Sequence, residues 1–356
     1  MEAASQYAAE AERVRQRIDA LRRSDTLVFP IFTDLHTRSL DAPVTLALFD
    51  AMEALSKAVR ADAVIALGDN LAMLGREEHA SNETIHAIIR GLFERVSSLW
   101  PCPLLPVNGN HDGIGTDFFK ADFWYDISRG FDRGAAKYSG NSAYYTVDFD
   151  QARVRMIVLS LPSGSDLTAE NPSPTWAFGG DQLKWLAETA LRTDYQVLLV
   201  CHVPLYYAYA DEKDWTIGVW TGDHAAQSYV SALCGWIDDR DEAEALLSAF
   251  NAHAACRIDR LNVSLPASPE SAGLIACLSG HMHDDSLFRA GETIGDETNR
   301  LPCAQIQSGS TNVSLNRPLR DQAALPISMD VAVLTPSERR LTMVRYGAGA
   351  DRTIRW

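Results

Sequence analysis

The pair His281 and His283 lies one residue apart in the stretch CLSGHMHD, where an apolar run from Gly273 to Leu278 gives out. Four other apolar runs end in clusters of the same kind. Asp34 and His36 follow Leu27 to Thr33, and Asp69 follows Val64 to Leu67. Asn110, His111 and Asp112 follow Leu104 to Val107, and His202 follows Val197 to Cys201. Taken singly, each has a bland explanation, since Asp, Asn and Gly are ordinary turn formers and a lone His is commonly a hydrogen-bonded core residue. The coincidence is harder to dismiss. Five of the nine histidines fall in these clusters, at strand ends of the sort where open α/β sheets collect their ligands.

Oxygen and imidazole donors without thiolates suit borderline divalent ions such as Mn, Fe, Zn or Co. Asp34, His36, Asp69, Asn110, His202, His281 and His283 are too many donors for one ion. They suit two ions sharing a bridging carboxylate, a pair roughly 3.5–4 Å apart being a recurrent means of hydrolysing phosphate esters. His281 and His283 can point to the same side and reach one ion each, with Gly280 letting the backbone turn closely beneath them.

Such a site needs strands and helices to hold it. Leu48, Met52, Leu55 and Val59 recur at helical spacing between the first two runs, and Ile85, Ile89, Leu92 and Val96 do so between the second and third. The β-α-β-α-β order implies a mostly parallel sheet with helices packed on it. Further strands are predicted at 143–149, 154–161, 197–201, 273–278, 303–307, 329–334 and 340–346, and a helix at Asp181 to Leu191. The last two strands form a hairpin about Pro336, and the scarcity of helix after residue 255 predicts a second sheet stacked on the first. Residues 1–25 are expected to be an amphipathic helix packed on a single domain at 26–356, with Val14, Ile18 and Leu21 on one face. Insertions are expected at 113–142 and 205–241.

Composition narrows the function. A formal net charge of −15 gives no basic stripe for a nucleic-acid backbone or an anionic membrane. No apolar run approaches the roughly 18 residues of a membrane span, and the six cysteines show no C-x-x-C pairing. The expectation is a cytoplasmic protein with reduced core thiols. Nothing in the residues specifies an oligomeric state.

The ordered blocks D-x-H, GD-x, GNH-[DE], a lone His after a strand, and G-H-x-H resemble the calcineurin-like metallophosphoesterase family across about 250 residues, from Asp34 to His283. The closing RYGAGADR, Arg345 to Arg352, is similar to the end of many bacterial members. The resemblance implies a four-layer α/β/β/α sandwich of two stacked mixed sheets with a dinuclear metal site at the strand ends. It also implies that Asp34, His36 and His283 bind one ion, that Asn110, His202 and His281 bind the second, and that Asp69 bridges them. His111 is then a catalytic group beside the leaving oxygen, oriented by a hydrogen bond from its ring to Asp112. Ala72 stands where iron-tyrosinate members carry Tyr, which sets purple acid phosphatases aside, and GDNLAML departs from the GDxVDRG of serine/threonine protein phosphatases.

The expected activity is hydrolysis of a small phosphomonoester or phosphodiester by a hydroxide bridging two divalent ions, Mn favoured. A nuclease of the same chemistry and a non-catalytic metal-binding scaffold are the alternatives. Aromatic residues crowd both expected insertions: Phe118, Phe119, Phe123, Trp124 and Tyr125 in one, and Tyr206, Tyr207, Tyr209, Trp215, Trp220 and Trp236 in the other. The simpler reading has most of them packing the loops onto the domain, and the sharper one has some stacking on a flat substrate group.

Overall fold

Strand β1 (Leu27–Phe32) is buried at all six positions, as its unbroken apolar sequence requires of a strand covered on both faces. Its alternate side chains enter two different cores. Val28 and Phe32 face a layer of helices, and Leu27, Phe29 and Ile31 face a second sheet. The same division recurs in the second sheet at residues 197–200, where Val197 and Leu199 face helices while Leu198 and Val200 face inward.

The computed structural model describes residues 2–72, 80–112, 121–160, 177–206, 237, 239–294, 297–316, 319, 321 and 323–356. After α1 (Glu2–Leu21) and β1 come α2 (Pro43–Ala58), β2 (Val64–Ala66), α3 (Asn82–Ser97), β3 (Leu104–Pro106) and α4 (Ala121–Phe131). Next are β4 (Ala136–Tyr138), β5 (Tyr145–Phe149), β6 (Val154–Val158), α5 (Gly180–Trp185) with a π turn at Leu186–Ala190, β7 (Gln196–Val200) and α6 (Arg240–Asn251). The chain closes with β8 (Cys256–Ile258), β9 (Val263–Leu265), β10 (Gly273–Ser279), β11 (Ser286–Phe288), β12 (Thr293–Ile294), β13 (Glu297–Thr298), β14 (Ala304–Gln307), β15 (Met329–Thr335), β16 (Arg340–Tyr346) and β17 (Arg352–Arg355).

One sheet runs β17-β16-β15-β1-β2-β3 and the other β11-β14-β10-β7-β6-β5-β4. β1, β2 and β3 are parallel, as the β-α-β-α-β order demands, and β6, β7, β10 and β14 form the parallel centre of the second sheet. Helices α1 to α4 cover the first sheet, and α5 and α6 cover the second. The result is the four-layer sandwich. The C-terminal hairpin does not extend the second sheet: β15 pairs antiparallel with β1, along the edge that β2 leaves open.

Helix α1 buries Tyr7, Ala11, Val14 and Ile18, spaced four, three and four apart, against α2 and β16. Within the first expected insertion, α4 buries Trp124, Ile127 and Phe131 in the outer core, and β4 is an edge strand of the second sheet. Residues 121–138 therefore belong to the layers themselves. Phe118, Phe119, Tyr207, Tyr209, Trp215, Trp220 and Trp236 lie outside the described residues. Of the aromatics that are described, Trp124 and Tyr206 pack inside, and Phe123 stacks on His86 with ring centroids 4.1 Å apart. Five of the cysteines are described, and all are free. Among the described residues no helix is long and apolar enough to cross a membrane.

Candidate metal centre

The chain segments leaving β1 and β2 stay paired beyond the strands. Asp34 N donates to Gly68 O at 2.9 Å, His36 N to Asp69 O at 3.1 Å, and Thr37 N to Asn70 O at 3.0 Å. On the second sheet, Gly280 N donates to His202 O at 3.0 Å. These pairings bring the end of each strand to one place between the sheets. Further bonds cross from sheet to sheet: the His281 amide donates to both carboxylate oxygens of Asp34, at 3.0 and 3.1 Å, and His202 Nδ1 lies 2.8 Å from Leu67 O. A carbonyl oxygen can only accept, so Nδ1 is the donor and Nε2 is the atom turned into the site.

All seven expected ligands and His111 are brought together. His36 Nε2 and His283 Nε2 face each other at 2.9 Å, and they stand 3.9 and 3.4 Å from Asp34 Oδ1. Asn110 Oδ1 lies 3.1 Å from His202 Nε2 and 2.7 Å from His281 Nδ1. Between the two groups sits Asp69. Its Oδ1 accepts from the His111 amide at 2.7 Å, while its buried Oδ2 has no hydrogen-bond donor and faces His202 Nε2 at 3.2 Å and His36 and His111 Nε2 at 3.8 Å each.

A buried carboxylate oxygen without a donor carries a desolvation cost that a cation would relieve. Three triads of ligand atoms each lie within 4.8 Å of one another: Asp34, His36 and His283; His36, Asp69 and His111; Asp69, His202 and His281. The residues present fit a pair of divalent cations.

Backbone geometry marks the same positions. Asp34, His36, Asp69, His281 and His283 all have positive φ, at 51°, 48°, 48°, 78° and 64°. Left-handed conformations at non-glycine residues cost about 1–3 kcal/mol each and persist where the surroundings impose them, commonly at functional sites. Gly280 has no room for a side chain, because a Cβ there would lie 2.2 Å from Thr33 Oγ1 and 2.6 Å from Asp34 Oδ2. At Gly109 a Cβ would meet the Asp69 amide at 2.1 Å.

The electrostatics follow from burial and crowding. Burial works to raise the Asp34 carboxyl, but His202 and His283 outweigh it and hold the group down at about 2. Asp69 is likewise held well below the carboxylate range, His202 and His111 outweighing burial. Burial would lower His202, yet Asp69 and Asp34 push it up to about 9. His281 falls to about 3 through burial and the neighbouring His202, and His36 falls well below the usual imidazole range through burial, His111 and His283. The two ionised carboxylates draw positive charge to this point, and protons and metal cations compete for the same ring nitrogens.

One expected contact is corrected. Asp112 does not orient the His111 ring: its oxygens accept from Leu71 N at 2.9 Å, Gly109 N at 2.9 Å and the Asn70 amide at 3.3 Å. Backbone amides of the two adjoining loops saturate the carboxylate, so Asp112 braces the loop that carries Asn110 and His111. Its pKa rises to about 7, from burial and then the charge of Asp69. His111 is held below the ordinary value, chiefly by burial.

The sequence reading also passed over Ser310 and Thr311. Ser310 Oγ donates to Asp34 O at 2.6 Å, and Thr311 Oγ1 accepts from Thr33 N at 2.9 Å. The run SGSTN directly after β14 was the available signal, a polar cluster at another strand end.

A family model for calcineurin-like phosphoesterases matches residues 28–257. The chain belongs to this family. As a calcineurin-like phosphoesterase it binds divalent metal, for which these His and Asp clusters offer ligand atoms, and hydrolyses phosphoesters by a metal-dependent route. Among solved structures it is similar to a dimetal phosphatase from Danio rerio, with a TM-score of 0.57 at 13% identity over 93% of this chain and 99% of that one. It also matches the structure of PhoD with a TM-score of 0.45 at 12% identity, over 93% and 68% of the two chains. The first likeness concerns the fold. No curated protein sequence matches the chain.

Proposed function

We propose that this calcineurin-like phosphoesterase hydrolyses small phosphomonoesters or phosphodiesters with two divalent cations, manganese favoured. The supporting observation is the overlap of the three ligand triads through Asp69 and His36. In this reading Asp34, His36 and His283 hold one cation, Asn110, His202 and His281 hold the other, and Asp69 is shared. When bound, the cations supply an activated water nucleophile and neutralise charge on the phosphoryl group.

The chain's own residues do the rest. His202 keeps its Nδ1 proton on Leu67 O, which leaves Nε2 as the ligand atom. The His111 side chain, 24% exposed, reaches the site 3.8 Å from Asp69 Oδ2 and can hydrogen-bond to an oxygen of the substrate as charge develops on it. Asp112 fixes the loop on which His111 rides. The acidic whole-molecule charge supports a small ester over a nucleic-acid strand, and free thiols at all five described cysteines suit a reducing compartment such as the cytoplasm.

The test is a panel of p-nitrophenyl phosphate, bis-p-nitrophenyl phosphate, cyclic nucleotides and single-stranded DNA, each with added Mn2+. Turnover of one or more small esters, with little of the DNA, is expected. Preferred cleavage of the DNA would make the protein a nuclease, and inertness toward every substrate would leave a metal-binding scaffold.

A further inference from the structure

The closing run RYGAGADR takes no part in the metal centre, yet it carries the most deeply buried guanidinium described. Arg345, on β16, is 1% exposed. Its Nη2 pairs with Asp285 Oδ1 and lies 3.3 Å from Asp330 Oδ1. Arg352, at the start of β17, pairs with Asp330 Oδ2 and approaches Asp285 Oδ1 at 3.3 Å. It also donates from Nη1 to Gln307 O. The arginines and Asp330 belong to the first sheet, while Gln307 lies on β14 of the second and Asp285 immediately precedes its strand β11, so the cluster ties the two sheets together. Arg345 and Asp330 are fully buried, and pairing only offsets the cost of taking their charges out of water, which makes the cluster weak evidence for stability and points to another role.

Its position suggests that role. Asp285 stands two residues after His283, whose backbone is held at φ +64°. Asp285 Oδ1 also accepts from Gly309 N at 2.9 Å. The next residue, Ser310, donates to Asp34 O. One carboxylate thus grips the segments behind both His283 and Asp34. We infer that Arg345 and Arg352 act as positioning residues, clamping Asp285 so that His283 and Asp34 keep the separation a cation needs. The inference rests on the reading of Asp34, His36 and His283 as one cation site.

The test compares wild type, Arg345→Met, Arg345→Lys and Leu247→Ala as full-length chains. Leu247 is a buried residue of α6 on the far side of the second sheet, and its truncation controls for lost stability alone. Mn2+ binding is titrated calorimetrically and followed by electron paramagnetic resonance, alongside thermal melts. Wild type should bind two ions and show a spin-coupled pair. Arg345→Met should weaken one site by about 10- to 100-fold, the usual effect of removing an outer partner, leave the other unchanged, and convert the signal to that of an isolated ion. Arg345→Lys should recover part of the affinity, and Leu247→Ala should keep both ions.

If Arg345→Met binds both ions as wild type does, or loses both together in step with its stability, the inference is overturned while the functional reading stands. Should Arg345→Met not fold, the near-isosteric Asp285→Asn carries the same test: selective loss of one ion supports the clamp, and full retention overturns it. A wild-type chain that binds fewer than two ions would overturn the functional reading and this inference with it.

Discussion

Adjacent residues in the NGNHD block do different work. Asn110 Oδ1 lies between two imidazole nitrogens, the His111 ring is directed at Asp69, and Asp112 turns back to the amides of Leu71 and Gly109. The ligand-type residues were legible in the sequence because donor chemistry resides in the side chain itself. The duty of Asp112 was not, since its partners are backbone amides that every residue carries. His111 also belongs to one of the three ligand triads, with His36 and Asp69, so its role is open to a direct choice. If it acts on the substrate, His111→Gln should keep the wild-type cation content in elemental analysis while kcat falls by about 10²- to 10⁴-fold, the range for losing a proton-handling group. Loss of cation in that variant would make His111 a ligand instead.

At the scale of elements, the strands were readable because those buried on both faces are unbroken apolar runs: β1, β7, β10 and β15 fall where such runs predict them. Strands β8, β9, β11 to β13 and β17, of two to four residues, carry too little pattern to read. Helix α6 was passed over because its first turn is charged; only Ala243, Leu246, Leu247 and Phe250 mark its buried face. What no periodicity reveals is the left-handed backbone at five of the ligand positions. The close approach at Gly280 shows how tightly these turns are held. Gly280→Ala would set a methyl group against Asp34 and Thr33, and Asp34 cannot give way without leaving the site. The variant should lose about 1–3 kcal/mol of stability, seen as a lower melting temperature, together with part of its bound metal. A variant as stable and as loaded as wild type would show that the turn beneath His281 is not constrained in this way.

For the whole molecule, the decisive fact is that the centre is shared between the two sheets. Asp34, Asp69 and Asn110 follow β1, β2 and β3, while His202, His281 and His283 follow β7 and β10 of the other sheet. The site therefore exists only when the core between the sheets has formed, with Phe29, Ile31, Leu198, Val200 and Leu278 in contact across it. Which sheet would take the C-terminal hairpin could not be read from its own residues. The open edge of β1 decided that, and a strand's sequence does not name its neighbour. Because binding to the folded state stabilises it by RT ln(1 + [L]/Kd), each cation at 100 times its Kd adds about 2.7 kcal/mol. Metal content, activity and melting temperature should therefore move together. The most direct test is to count the metal in chain prepared without chelator, then remove it with EDTA and restore it with Mn2+. The result expected is two cations per chain, with activity and several degrees of melting temperature lost on chelation and both recovered on addition. A chain holding no metal, or one whose phosphoesterase activity and melting temperature are indifferent to chelation, would contradict a dinuclear centre.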